Sequence, residues 1–260
     1  MRAVIDERGF AGVAELSEEF GVSAVTVRHD LDALESEGGV RRIRGGAMPF
    51  DTGLWDTGPW DAGRLRERPF EEAAVEAAGA KARIAAAAAD LLEPGMSVFL
   101  DVGTTAAAVA REVLRRDALR DLTVITSGLS IALLLEPAVP RLSVVVTGGT
   151  LRPLQHSLVA PLADQVLGRV HADLALIGCN GVDAEAGVTN INLPEAEVKA
   201  AMIAAAARTV VTADGSKIGR VHLGYVADAA AVDVLITDQS APGAALAELR
   251  ALDGPRVVLA

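Results

Sequence analysis

The residues best suited to chemistry in this 260-residue chain gather where apolar runs of strand length give way to helical patterns. Asp101-Val102-Gly103-Thr104-Thr105 puts a glycine and two hydroxyls at the amino end of a helix. Backbone N–H groups and side-chain O–H groups so placed cradle a phosphate. Thr126-Ser127-Gly128 repeats the junction after the next apolar run, and Thr147-Gly148-Gly149-Thr150 supplies a third small, hydroxyl-rich strand end. Glu195-Ala196-Glu197-Val198-Lys199 opens a later helix. Asp214-Gly215-Ser216-Lys217 follows another strand, with Lys217 placed to meet a phosphate or a sugar hydroxyl. Each pattern alone is equally that of a helix cap, a turn or a solvated lysine. Three such strand ends on one open sheet favour a ligand site beyond its carboxyl edge.

A second set of candidates lies near the amino terminus. Val13, Leu16 and Phe20 recur at helical spacing and predict a short helix with one apolar face. Gly21 stops it, and Ser23 is a suitable N-cap for a second helix with Val27, Leu31 and Leu34 inward. Two short helices around a tight glycine turn form the helix-turn-helix pattern, whose second helix enters the major groove of DNA by its amino end. Val25, Thr26, Arg28 and His29 then face the groove. Ser23, with the basic residues Arg41, Arg42 and Arg44 of a glycine-bracketed hairpin wing, meets backbone phosphates. The expected partner is operator DNA, contacted through a small surface. The chain as a whole carries a net charge of −11, which argues against coating nucleic acid by bulk charge.

The elements that must position these residues follow from composition and period. Residues 1–49 read as the DNA-binding unit, and residues 50–80, rich in Gly, Pro and Asp at their start, as a linker. Residues 81–260 read as an α/β domain with an open, mainly parallel sheet and helices on both faces. Strands are expected at Val98–Val102, Leu122–Thr126, Leu142–Thr147, Leu174–Cys179, Thr209–Ala213, Val232–Thr237 and Arg256–Ala260. Helices are expected at Ala82–Leu92, Thr105–Leu114, Leu129–Leu135, Leu158–Leu167, Glu195–Ala207 and Ala244–Leu252. Continuous apolarity within the runs marks strands buried on both faces.

The stretch VAELSEEFGVSAVTVRHDLDALESEGGVRRIRGGA resembles the winged helix-turn-helix of the DeoR-type bacterial transcriptional regulators. It departs from the family in carrying Arg28-His29 where two arginines are usual and Arg44 where a histidine is usual. The family's first helix begins several residues before Met1, so the expected start lies upstream. KARIAAAAADLLEPGMSVFLDVGTT, LTVITSG, VVVTGGTLR, SLVAPLAD, ADLALIGCNGVD, EAEVKAAMI and ADGSKIG resemble, in order, the effector domain of the same family, itself similar to ribose-5-phosphate isomerase. The resemblance implies a regulator, most often a repressor, that senses a phosphorylated sugar or related metabolite. It carries effector-binding roles onto Asp101, Gly103, Thr104, Thr105, Thr126, Gly128, Gly148, Gly149, Lys199, Asp214, Ser216 and Lys217. Ser127-Gly128 stands where the family shows Asn-Ser, so Ser127 joins the site in place of an amide.

Two other readings compete: an isomerase-like enzyme, and an effector-binding scaffold that has lost DNA binding. Against the first, the isomerase builds its acid–base pair from a D-G-A-D-E loop and a glycine-flanked lysine. The comparable stretches here are Gly178-Cys179-Asn180-Gly181-Val182-Asp183 and Gly187-Val188-Thr189-Asn190, without the first acid or the lysine. No catalytic residues, metal or cofactor are therefore expected. His29, His156, His171 and His222 are scattered without metal-ligand spacing, and the single cysteine, Cys179, excludes an internal disulfide. No apolar run reaches the roughly 18 residues of a membrane helix, and the acidic start is unlike a signal peptide. A cytoplasmic homo-oligomer is expected, because one recognition helix gives little specificity.

Overall fold

The computed structural model describes residues 1, 2, 4, 5, 11–36, 39–43, 46–49 and 67–260. The chain divides into two compact units, Met1–Arg64 and Leu65–Ala260.

In the first unit, strand β1 (Ala11–Gly12) leads into helix α1 (Val13–Phe20), and α2 (Ala24–Ser36) follows. The turn between them depends on Gly21, whose φ of 63° is left-handed and costs a glycine little. Ser17 Oγ donates to the Val22 carbonyl and fixes the exit. Ser23 Oγ accepts from the Thr26 N–H at 3.2 Å, the expected cap. Strands β2 (Val40–Ile43) and β3 (Gly46–Pro49) form the expected hairpin wing, and β3 also pairs with β1. Ile5, Val13, Leu16, Val27, Leu31 and Val40 make the core of this unit. Phe20 departs from its expected inward place and stands 41% exposed at the last turn of α1.

The second unit is built on a seven-stranded sheet of order β15-β14-β12-β9-β4-β5-β6, parallel throughout. Its strands are β4 (Ser97–Leu100), β5 (Leu122–Thr126), β6 (Leu142–Val146), β9 (Leu174–Gly178), β12 (Thr209–Thr212), β14 (Val234–Thr237) and β15 (Arg256–Leu259). Each lies within a strand expected from the apolar runs, except that β4 begins one residue earlier, at Ser97. Successive side chains of a strand point to opposite faces. Val98 and Leu100 accordingly pack with α4 (Ala78–Ala89), α5 (Thr104–Arg115) and α6 (Leu129–Leu135), whereas Phe99 packs on the other face with α7 (Leu162–Leu167) and α8 (Leu193–Ala204). Further along that second face, Val211 and Leu235 meet Leu246 and Leu249 of α9 (Gly243–Ala251).

Three features depart from expectation. The helix expected over Leu158–Leu167 begins only at Leu162, and its first residues instead form β8 (Ser157–Val159), paired antiparallel with β7 (Thr150–Arg152). Pro161 explains the break, since proline disfavours helix at the residue before it and supplies no N–H. A small antiparallel sheet of β10 (Gly181–Asp183), β11 (Gly187–Asn190) and β13 (Gly224–Ala227) adds a second layer of strands. Asp183 Oδ1 accepts from the N–H groups of Glu185 and Ala186 and so turns β10 into β11. Within the expected linker, residues 50–66 lie outside the described residues, but α3 (Phe70–Val75) and the start of α4 are helical.

Candidate functional site

Strand order decides where a ligand meets this sheet. From β4 the chain steps outward through β5 to β6, then returns to β9 on the other side of β4 and continues through β12 and β14 to β15. The reversal lies between β4 and β9, and a crevice opens beyond the carboxyl ends of strands at such a point. Asp101 follows β4 there, and its Oδ2 accepts the Gly178 N–H at the end of β9, 2.9 Å away. The same oxygen pairs with Lys199 Nζ from α8. Both side chains are buried.

The electrostatics of the pair follow from its surroundings. Burial opposes charge on Lys199, but the Asp101 and Glu195 carboxylates outweigh it and hold the ammonium above its ordinary range. Burial outweighs Lys199 at Asp101 and holds that carboxyl above its ordinary range. One ammonium thus serves two carboxylates. Asp101 Oδ1 is buried and has no hydrogen-bond partner among the described residues. An acceptor so placed is costly to leave unpaired and is able to accept from an O–H or N–H donor.

Beside Asp101, Gly103 takes φ 97° and hands the chain to α5. Thr104 and Thr105 are half-buried in its first turn, where helix N–H groups have no partner inside the helix. Lys217 and Asp214 lie within electrostatic reach of Cys179, as do Lys199 and Asp101. Asp101 and Lys199, expected from separate stretches of sequence, are in direct contact, and Asp214 and Lys217 share with them only the neighbourhood of Cys179. Asp214 caps a short turn by accepting from the Ser216 N–H, and Asp238 accepts the Gly215 N–H at 2.6 Å. Burial pushes the Cys179 thiol up to about 12, so it stays protonated at neutral pH.

The other expected loops serve the frame more than the crevice. Thr126 Oγ1 accepts from the Gly128 N–H, the Ser127 carbonyl from the Leu158 N–H, and the His156 carbonyl from the Leu129 N–H. Of Thr126-Ser127-Gly128, the Ser127 carbonyl is thereby bonded to the β7–β8 hairpin, while the Thr126–Gly128 bond closes the turn on itself. Gly148 and Gly149 both take positive φ, and a Cβ on Gly149 would stand 2.4 Å from the Val159 carbonyl oxygen. That turn admits only glycine because the hairpin is pressed against it.

Three buried polar residues, Arg152, Ser157 and Lys81, went unassigned in the sequence. Arg152 is buried between Glu195 and Glu67, and Ser157 donates to Glu195. Lys81, also buried, donates to the carbonyls of Ala73 and Glu76. A buried arginine in a strand of mixed character has no periodic signature; its partners lie 43 and 85 positions away.

In the first unit, Val25, Thr26, Arg28 and His29 all lie exposed on α2, opposite the buried Val27 and Leu31. Ser23 and Thr26 share a hydroxyl–hydroxyl hydrogen bond of 2.9 Å at the amino end. Arg41 and Arg42 lie in β2, and Arg44 lies outside the described residues. Among the described residues no helix is long and apolar enough to cross a membrane.

The family model described as the DeoR C-terminal sensor domain matches residues 76–239, and that of the DeoR-like helix-turn-helix domain matches residues 1–52. A putative aga operon transcriptional repressor of Escherichia coli O157:H7 is 33% identical, with 94% of this chain and 86% of that protein covered. The HTH-type transcriptional regulator GlpR of Haloferax volcanii is 36% identical, with 87% and 82% covered. The solved ribose 5-phosphate isomerase of Methanocaldococcus jannaschii is 20% identical over 53% of this chain and 52% of its own, with a TM-score of 0.39. A likeness of that size carries neither ligand nor activity across.

Proposed function

Since the chain belongs to the DeoR family of transcriptional regulators, we propose that it is an operator-binding repressor of sugar-metabolism genes, governed by a phosphorylated sugar or related metabolite. The observation that carries the effector class is the make-up of the crevice between β4 and β9. A buried acceptor, Asp101 Oδ1, stands just before the amino end of α5 on the carboxylate paired with Lys199, and Lys217 lies within electrostatic reach of the nearby Cys179. Carboxylate oxygens take sugar hydroxyls, while helix N–H groups and ammonium ions take phosphate. Thr104 and Thr105 add hydroxyls at the same end, and Ser216 adds one beside Lys217. Thr126, Ser127, Gly128, Gly148 and Gly149 hold the wall of the crevice in place.

On the DNA side, Val25, Thr26, Arg28 and His29 read bases, and Ser23, Arg41, Arg42 and Arg44 bind phosphates. The aga-type relative supports the repressor reading, because its name gives that role to a protein aligned over nearly the whole of this chain. Two recognition helices on repeated half-sites are needed for specificity, so the active species is a homo-oligomer in the cytoplasm. Effector occupancy shifts the population between DNA-holding and released forms, with coupling of about 1–3 kcal/mol. The proposed domains are a DNA-binding domain at residues 1–49, a linker at 50–80 and an effector domain at 81–260, while the second compact unit itself begins at Leu65. Turnover has no place in this reading.

Fluorescence anisotropy on a duplex taken from upstream of the protein's own gene tests it, at fixed salt and against a panel of sugar phosphates. Specific binding that one phosphate alters, with no consumption of that phosphate in a coupled assay, is the expected result. Binding unmoved by every panel member sinks the effector class, and no binding sinks the regulator.

A further inference from the structure

The residues that lead out of the unit boundary are fastened to the effector-side unit by polar ties. No side chain of α3 is fully buried. Its surroundings instead supply side-chain ties. Arg152 Nη2 donates to Glu67 Oε2 at 2.6 Å, Gln155 Nε2 to the Arg68 carbonyl at 2.8 Å, and Lys81 Nζ to the Ala73 and Glu76 carbonyls. His156 lies 3.3 Å from Glu71 and packs its ring on Phe70.

Arg152 has a second hand. Its Nη1 donates to Glu195 Oε1 at 2.8 Å. Glu195 stands one helical turn before Lys199 on the same face of α8. Glu195 also shares the field of the Asp101–Lys199 pair. The side chains of Glu67, Arg152 and Glu195 are each at least nine-tenths buried. A planar guanidinium holds two carboxylates in fixed directions, and in a low-dielectric setting a change at one is felt at the other. The hairpin that carries Arg152 is itself hydrogen-bonded to Ser127 and Leu129 beside the crevice.

We infer that Arg152 is a coupling residue: it joins the crevice face of α8, through Glu195, to the segment at Glu67 that leads toward the DNA-binding unit. Its regulatory meaning rests on the function proposed above, but the coupling itself is testable without effector or DNA. An anion that draws on Lys199 alters the field at Glu195 and so changes the hold of Arg152 on Glu67. Segment 67–76 then moves between fastened and loosened forms.

Hydrogen exchange on the full chain provides the test, read at the amides of residues 70–76. Glu67→Gln is expected to speed their exchange roughly tenfold by cutting the tie directly. Glu195→Gln, which touches no residue of the segment in the hydrogen bonds above, is expected to do nearly the same. Arg152→Lys replaces the fork by a point charge and is expected to match them. Glu197→Gln, exposed on the same helix, is expected to change nothing. The double variant of Glu67 and Glu195 should exchange no faster than either single one, because both changes act through Arg152. Retained protection at Val210 and Val211 in β12 verifies that each variant is folded. Wild-type exchange at 70–76 in folded Glu195→Gln or Arg152→Lys, or additive effects in the double variant, would overturn the inference.

Discussion

At the scale of single residues, the chemistry is decided by which buried groups have partners. Lys199 is the cation that makes an ionised Asp101 tolerable in the interior. Lys199→Met is expected to cost about 3–5 kcal/mol, the usual penalty for stranding a buried charge. Urea unfolding checks this, and a loss below about 1 kcal/mol would mean that Asp101 is solvated or protonated without its partner. His222 gives a pH prediction. Its Nε2 lies 3.1 Å from the Asn180 carbonyl oxygen, which only accepts, so Nε2 carries the proton of the neutral ring. Its Nδ1 is buried without a partner among the described residues, and burial lowers the pKa from its ordinary 6.5. Protonation would bury an unpaired N–H. A depressed folded pKa means stability that is present above 6.5 and drains away as pH falls through the folded value. Melting temperature should therefore fall from pH 7 toward pH 5.5 in the wild type, and less steeply in His222→Gln. Parallel profiles would show that His222 does not titrate in this window.

Elements carry the next set of constraints. The β7–β8 hairpin fits only because Gly149 has no side chain, with φ 138° and the Val159 carbonyl against it. Gly149→Ala is expected to destabilise the second unit by about 1–3 kcal/mol and to weaken sugar-phosphate binding. Equal affinity and stability in that variant would show that the hairpin yields freely. On α2, the exposed Arg28 is assigned to the groove. Arg28→Ala should weaken operator binding by about 1–3 kcal/mol and relax preference at one base position, whereas Arg42→Ala should lower the salt slope by about one. The seven strands of the sheet were legible in the sequence because burial on both faces leaves uninterrupted apolar runs such as Leu174–Gly178. The N-terminal helices were legible for another reason: Gly21 and Ser23 punctuate them. The hairpin was not, since Leu158, Leu162 and Val166 fit a helical period and only Pro161 dissents. The β10–β11–β13 layer was missed as well, its strands being three or four residues long and set among glycines.

For the molecule as a whole, two separately cored units imply two separately addressable stabilities. Scanning calorimetry of the full chain is expected to show two transitions, the larger heat belonging to Leu65–Ala260, because unfolding enthalpy scales with residue number. Operator DNA should raise mainly the smaller transition and a bound sugar phosphate mainly the larger, with the coupling proposed above seen as a smaller shift of the other one. A single merged transition would show that neither unit stands alone. The candidate effector residues were read from loop chemistry and from the family resemblance, whereas the meeting of Asp101 with Lys199 depends on strand order. Parallel order is set by crossovers and packing between distant segments, and local residue pattern does not encode it. The acidic excess of −11 extends to residues 1–49, where nine Asp and Glu outnumber six Arg, so the basic contacts proposed for DNA act by direction and not by bulk charge.

The reversal at β4 divides the crevice between two continuous stretches of chain. Residues 97–159 supply Asp101, the α5 junction and the hairpin; residues 174–238 supply Gly178, Lys199, Asp214 and Lys217. Each stretch forms its own block of adjacent strands, and the two abut along the single β4–β9 seam. Ligand preference in such a molecule is heritable by halves: drift or exchange in one block rewrites one wall of the crevice while the facing wall is passed on intact.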